Sequence, residues 1–282
     1  MIKNAAPLAL ALALAAPHCV AVENVVPTCY QDKLGVHPAP AATELFVLVD
    51  QTTVFDANLQ QQVANSVRPF MAADNAFSVT IFSAFSQGRY ARVLTSGTVE
   101  PTIASAQRDD ISKPLLSRFD ACTKRQPQQA TQAVGAALRT AFNDASAELA
   151  RSDVLASFKS ISTRIKNSTA QRKVVVIASD MLENSSVTAF YGSGGNSVRQ
   201  IDPAKELKIV DDNALLGDFG GAEIYVIGAG LLSGGPAKTS KYRDPKTMRA
   251  LTGFWGGYFE KSNAKVVEIG QPALLNPISA RR

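Results

Sequence analysis

This sequence predicts a doubly wound α/β domain, and three observations predict it. Leu45-Phe46-Val47-Leu48-Val49 is a continuous apolar run that ends in Asp50-Gln51-Thr52-Thr53. Val174-Val175-Val176-Ile177-Ala178 is a second such run, ending in Ser179-Asp180. Continuous apolar runs mark strands buried on both faces, as in a parallel sheet covered by helices above and below. The third observation is the alternation of strand-like and helix-like segments along the rest of the chain.

The elements follow in order. Residues 45–50 form the first strand, and 56–73 a helix with Val63, Val67 and Phe70 at helical spacing and Asp56 at its start. Residues 77–83 alternate as a strand. Gln87-Gly88 turns into another strand at 89–95, which makes an antiparallel hairpin at a sheet edge. Pro101, Pro114 and Pro127 break residues 100–127 into one or two short helices. Ala130-Thr131 opens a small-residue helix, helical pattern continues in pieces to Ile165, and a strand follows at 173–179. Residues 184–220 read as a polar insertion with a tip at Gly192–Asn196 and a helix at 203–216. The chain closes with a strand at 222–228, a helix at 245–261 and a strand at 266–269. Met248, Leu251, Phe254, Trp255 and Phe259 are spaced for the buried face of that last helix.

Composition narrows the function classes. With 282 residues, 46% hydrophobic and 19% charged, the chain is globular. Its formal charge of +5 comes without a dense Lys/Arg cluster or an aromatic platform, which argues against nucleic acid as a partner. Gly228-Ala229-Gly230 is half a dinucleotide fingerprint, but Ser233 stands where the third glycine belongs, so no organic cofactor is expected.

The N-terminus reads as a signal peptide over 1–21. Lys3 supplies the positive charge, Leu8–Ala16 an apolar stretch too short to span a bilayer, and Cys19-Val20-Ala21 a cleavage site. Cleavage makes the protein periplasmic or secreted; the alternative is a lipid anchor on Cys19. No later segment is apolar enough for a membrane helix. Cleavage leaves Cys29 and Cys122, an even number in an oxidising compartment, so a Cys29–Cys122 disulfide is expected. It also leaves His37 as the one histidine, which argues against a Ser-His-Asp triad or a histidine zinc site. The mature chain then divides into an irregular extension at 22–43, the α/β domain at 44–270 with its insertion at about 185–220, and a tail at 271–282.

Ligands of open α/β sheets bind outside the carboxyl ends of the strands, where strand order reverses. Asp50, Thr52 and Asp180 are therefore the first site candidates, with capping of the next helix as the plainer role for Asp50. Placed on this strand order, these residues resemble the von Willebrand factor A-type domain over roughly residues 44–270. In that family the first strand ends in Asp-x-Ser-x-Ser, a loop threonine precedes a later helix, and an aspartate ends the fourth strand. Together they hold one magnesium or similar ion. The resemblance implies that Asp50, Thr52, Thr131 and Asp180 are the metal ligands here, with Mg2+, or Mn2+ or Ca2+, as the ion. Val54 departs from the pattern, standing where the second serine belongs, with Thr53 beside it. Magnesium takes six oxygens and keeps several waters, so water could replace one lost hydroxyl at lower affinity.

The function implied is an exported adhesion or envelope-assembly module. It would bind another protein through the strand-end site or the 185–220 loop, and it would not be an enzyme. The alternatives are a metal-free scaffold of an envelope complex and a metal-dependent hydrolase using Asp50 and Asp180. Phosphatases of the haloacid dehalogenase type place a nucleophilic aspartate after an apolar strand in Asp-x-Asp-x-Thr, but Thr52 occupies the second aspartate position here and removes the general acid.

Overall fold

The computed structural model describes residues 24–86, 89–146, 152–192, 197–232 and 244–280. The segment expected to be a signal peptide, with Cys19, the Gln87-Gly88 turn, positions 193–196 of the insertion tip and Ser233 lie outside the described residues.

Six strands form one sheet: β1 (Thr43–Asp50), β2 (Asn75–Ser86), β3 (Arg89–Val99), β4 (Arg172–Ala178), β5 (Ala222–Ile227) and β6 (Ala264–Ile269). Their spatial order is β3-β2-β1-β4-β5-β6. All neighbours are parallel except β2 and β3, the antiparallel hairpin at one edge. This is the mixed, doubly wound sheet that the sequence predicts. Strand order reverses between β1 and β4, which pair in register from Thr43↔Arg172 to Val49↔Ala178. That pairing brings the polar ends of the two apolar runs to one crevice.

Side chains of β1 alternate between two cores. Leu45, Val47 and Val49 face α1 (Ala57–Val67), α4 (Gln126–Asn143) and the C-terminal tail, whose Leu274 and Ile278 are buried with them. Phe46 and Leu48 face a second core shared with α5 (Val154–Lys166), α6 (Pro203–Asp212) and α7 (Pro245–Lys261). In this second core Phe158 packs on Trp255 and Phe259, with ring centroids 5.6 and 5.7 Å apart. Pro69 ends α1 earlier than hydrophobic spacing suggests, because it supplies no N–H; a 3-10 turn at Arg68–Phe70 follows.

A third, smaller cluster sits apart. The extension runs beside β3, with Asn24 bridging Ser96 and the Val25 N–H donating to the Ser96 carbonyl at 3.0 Å. Cys29 and Leu34 then pack on Ile103, Ile111 and Phe119 from α2 (Ser105–Arg108) and α3 (Lys113–Thr123) and their connections. The Cys29–Cys122 disulfide staples this cluster.

The insertion is less loop-like than its composition. Its helix α6 stops at Asp212, four residues before the expected end, where Asn213 and then Ala214 at φ +52° turn the chain away. Phe190, Val198 and Ile201 are buried in the second core, so the segment is anchored to the body.

Candidate functional site

The site lies in the crevice between the ends of β1 and β4. Asp50, the last residue of β1, is fully buried. Its Oδ1 accepts the Thr52 N–H at 2.8 Å and the Thr52 hydroxyl at 2.6 Å. Its Oδ2 accepts the Ser179 hydroxyl at 2.7 Å. The cap of α1 is Asp56, whose Oδ1 accepts the Leu59 N–H at 2.9 Å. Asp50 therefore does not serve as a helix cap.

Asp180 follows β4 and is 1% exposed. Oδ1 accepts the Leu182 N–H and Oδ2 the Tyr191 hydroxyl, each at 2.9 Å. Between them Met181 sits at φ +61°, a left-handed position costing an L-residue roughly 1–2 kcal/mol. Three contacts hold this sharp turn. The Met181 N–H donates to Ser179 Oγ at 2.9 Å, the Met181 carbonyl accepts the Trp255 indole N–H at 2.8 Å, and the Gly230 N–H donates to the Asp180 carbonyl at 2.9 Å. Gly228, at φ +106°, closes the same wall. A Cβ there would meet the Phe55 ring at 2.5 Å and the Ser179 carbonyl at 2.8 Å.

Thr53 links the two acids. It is buried, its hydroxyl oxygen accepts the Asp180 N–H at 3.2 Å, and the hydroxyl faces both carboxyl groups. Val54 points out instead, 55% exposed. The turn after β1 thus aims Thr53, not residue 54, into the crevice.

The electrostatics follow from burial. Desolvation pushes both Asp50 and Asp180 above the ordinary carboxylate range. The Asp50 charge pushes Asp180 up further, while hydrogen bonds from Leu182, Tyr191 and Thr53 oppose the rise. The Tyr191 hydroxyl is itself raised, by burial first and then by the Asp180 and Asp50 charges.

Of the four metal ligands expected, the structure brings together Asp50, Thr52 and Asp180. Thr131 is elsewhere. α4 begins at Gln126-Pro127, with proline in its first turn, so Thr131 lies inside the helix and not in a loop before it. The helix runs from the amino end of the sheet, where Gln126 meets Glu100, to the carboxyl end, where Gln51 Nε2 donates to the Ala141 carbonyl at 2.9 Å. Ten residues separate Thr131 from Ala141, about 15 Å of helix. The exposed Thr131 donates its hydroxyl to the Pro127 carbonyl at 2.8 Å. The segment that reaches the crevice from this side is the turn after α4, where the Ser146 N–H donates to the Gln51 carbonyl at 2.9 Å.

The residues present do not fit the adhesion-type metal shell. The loop threonine is far away, residue 54 offers a hydrocarbon pointing to solvent, and both Asp50 Oδ1 lone pairs are taken by Thr52. Tyr191 covers Asp180. Such a site also needs an open face for a partner's carboxylate, and these acids are 0% and 1% exposed. Two cavities, of about 600 and 500 Å³, lie at the opposite end of the sheet, beside Asp74 and Arg172 and beside Glu44 and Arg164.

Sequence reasoning missed Thr53 as a member of the site, and Tyr191. The hydroxyl of Thr53 was visible but its direction depends on the turn. Nothing local marks Tyr191, which reaches Asp180 only because the insertion folds back.

No protein-family model and no curated protein matches this sequence. Among solved structures it is similar to an aerotolerance-related membrane protein from Bacteroides fragilis, at 9% identity and a TM-score of 0.34, over 81% of this chain and 92% of that one. It is also similar to the TFIIH p34 N-terminal domain, at 9% identity and a TM-score of 0.31, over 82% and 93%. Superpositions this loose carry no argument about function. The fold assignment rests on the strand order itself.

Proposed function

We propose that this chain is an exported, non-enzymatic protein-binding module with a von Willebrand factor A-like fold. Its partner surface is the carboxyl edge of the sheet, over Val54 and the insertion at 184–201, and it engages its partner without a metal ion. The observation that carries this reading is the turn after β1. Val54 faces solvent, 55% exposed, while the neighbouring Phe55 and the polar side chains of the turn are buried, so that edge presents an apolar contact above a closed acid pair. Burial of both acids favours a structural role for the pair over hydrolysis, since neither carboxyl is open to a substrate. Export is supported by the N-terminal signal pattern and by a disulfide between the two cysteines that cleavage leaves.

The test places a photo-crosslinking residue at Val54 or Val187, in the full chain in its natural host, with Ala72 at the opposite edge as the comparison. Crosslinks to a protein from Val54 and Val187 are expected; crosslinks from Ala72 alone would overturn the placement. Thermal unfolding with magnesium, manganese and then chelator tests the metal-free part. A bound ion at a hundred times its dissociation constant adds about 2.7 kcal/mol. No shift in midpoint is expected, and a rise that disappears in Asp50→Ala would restore the metal.

A further inference from the structure

The strand-end pair is not the only acid buried at this edge. Glu183 is fully buried and ends the buried run Ser179–Glu183; the insertion begins at the next residue. Its Oε2 accepts the Leu155 N–H at 2.9 Å, in the first turn of α5. The Val154 N–H and the Ser185 hydroxyl also face it. Its Oε1 has no hydrogen-bond partner among the described residues.

This carboxyl does work that local sequence leaves undone. Asp153 occupies the capping position of α5 but makes no side-chain cap. Glu183, 28 residues away in sequence, supplies the acceptor for the open helix end. The same residue anchors the insertion, since its carbonyl accepts the Phe190 N–H at 2.8 Å. Beside it, Asn184 and Ser152 exchange both backbone hydrogen bonds, at 2.9 and 3.2 Å. Glu183 thus stands at the joint between the insertion and α5.

The titratable groups acting on it are Asp153 from α5 and Tyr258 from α7. Neither brings a positive charge. Burial pushes the Glu183 carboxyl up to about 8; Asp153 adds to the rise, and the Ser185, Leu155 and Val154 donors oppose it. A buried carboxylate with one oxygen unpaired costs far more than the same group in water.

We propose that Glu183 is a protonation-controlled clasp: neutral, it holds the insertion against α5, and on releasing its proton to solvent it takes up water and opens the base of the insertion. Opening would change the surface offered to a partner as pH rises. Only that consequence rests on the proposed binding role; the clasp itself is a property of the chain alone.

The test needs no partner, so its failure is separate from failure of the crosslinking. Trp255 is the one tryptophan of the chain, and its indole is bonded to the Met181 carbonyl, two residues before Glu183. Its fluorescence is titrated from about pH 6 to about pH 10. Alongside, hydrogen exchange of residues 181–192 is followed, corrected for the intrinsic rise of exchange with pH. The wild type should show a reversible transition with a midpoint near 8 and faster exchange at the Asn184 and Phe190 amides above it, and Asp180→Asn, which removes the other acid raised into this range, should keep both. Glu183→Gln keeps the shape and an acceptor for Leu155, and should lose the transition. Asp153→Asn should move the midpoint down, and Tyr191→Phe should leave it in place. The proposal is overturned if Glu183→Gln retains the wild-type transition, or if residues 181–192 exchange alike at both ends of the range.

Discussion

Two buried glutamates stand at opposite edges of this sheet. Glu100, after β3 at the amino edge, is wrapped: it accepts the Thr28 hydroxyl at 2.5 Å, the Cys29 N–H at 2.7 Å and Gln126 Nε2 at 2.9 Å. Glu183, at the carboxyl edge, has a helix N-terminus on one oxygen and, among the described residues, no hydrogen-bond partner on the other. Asp50 and Asp180 extend the contrast, since they neighbour each other with no basic group among their hydrogen-bond partners. A carboxylate given enough donors acts as a staple. One held in low dielectric without them stores a dependence on its proton. The amino edge is therefore the fixed end of the molecule and the carboxyl edge the responsive one.

The largest expected effect tests the fixed end. The disulfide closes a span of 93 residues, for which chain entropy in the unfolded state gives about 4–5 kcal/mol as an upper value. The double variant Cys29→Ser, Cys122→Ser should lose most of that in denaturant unfolding, with hydrogen-exchange protection lost first around Phe119 and Ile111. A variant as stable as the wild type would show that the satellite cluster holds without its staple. Glu100→Ala comes next. It leaves the buried Cys29 N–H without its acceptor, while Gln126 Nε2 keeps the Pro27 carbonyl and the exposed Thr28 hydroxyl turns to water, and an orphaned buried donor costs about 1–3 kcal/mol. A loss of about 2 kcal/mol is expected in urea unfolding, and a variant as stable as the wild type would show that this carboxylate is not a staple.

The fold was legible because its signals are local. The apolar runs of β1 and β4 are unbroken, the α7 face repeats at helical spacing, and the two cysteines outside the expected signal segment have one pairing. Asp50 and Asp180 were legible for the same reason, as acids directly after such runs. Thr131 misled because Ala130-Thr131 has the composition of a helix start, while Gln126-Pro127 begins the helix more than a turn earlier and reverses which end of it meets the crevice. Thr53 and Val54 exchange roles through the geometry of one turn. Glu183 has the look of a surface charge at a helix start, as its setting in a polar stretch suggests. Its burial arises from the docking of α5, 28 residues back, and no window of sequence contains that contact.

The smallest expected effect tests the responsive end directly. Asp180 is raised in the folded protein above its unfolded value, by burial and by the Asp50 charge. For a group raised on folding, the folded state holds the proton more tightly than the unfolded one. Its favourable contribution is complete below the ordinary carboxylate range and is lost as pH climbs from there through the raised folded value. The wild type should thus lose stability between about pH 5 and about pH 9. Asp180→Asn removes the titrating group and should lose less over the same interval. Each unit of raised value retained in the fold corresponds to about 1.4 kcal/mol, so the two melting curves should diverge by at least that amount toward the alkaline end. Urea unfolding of both proteins at the two pH values measures it. Parallel losses would mean that Asp180 is not raised by its burial beside Asp50, and the carboxyl edge would not be the responsive one.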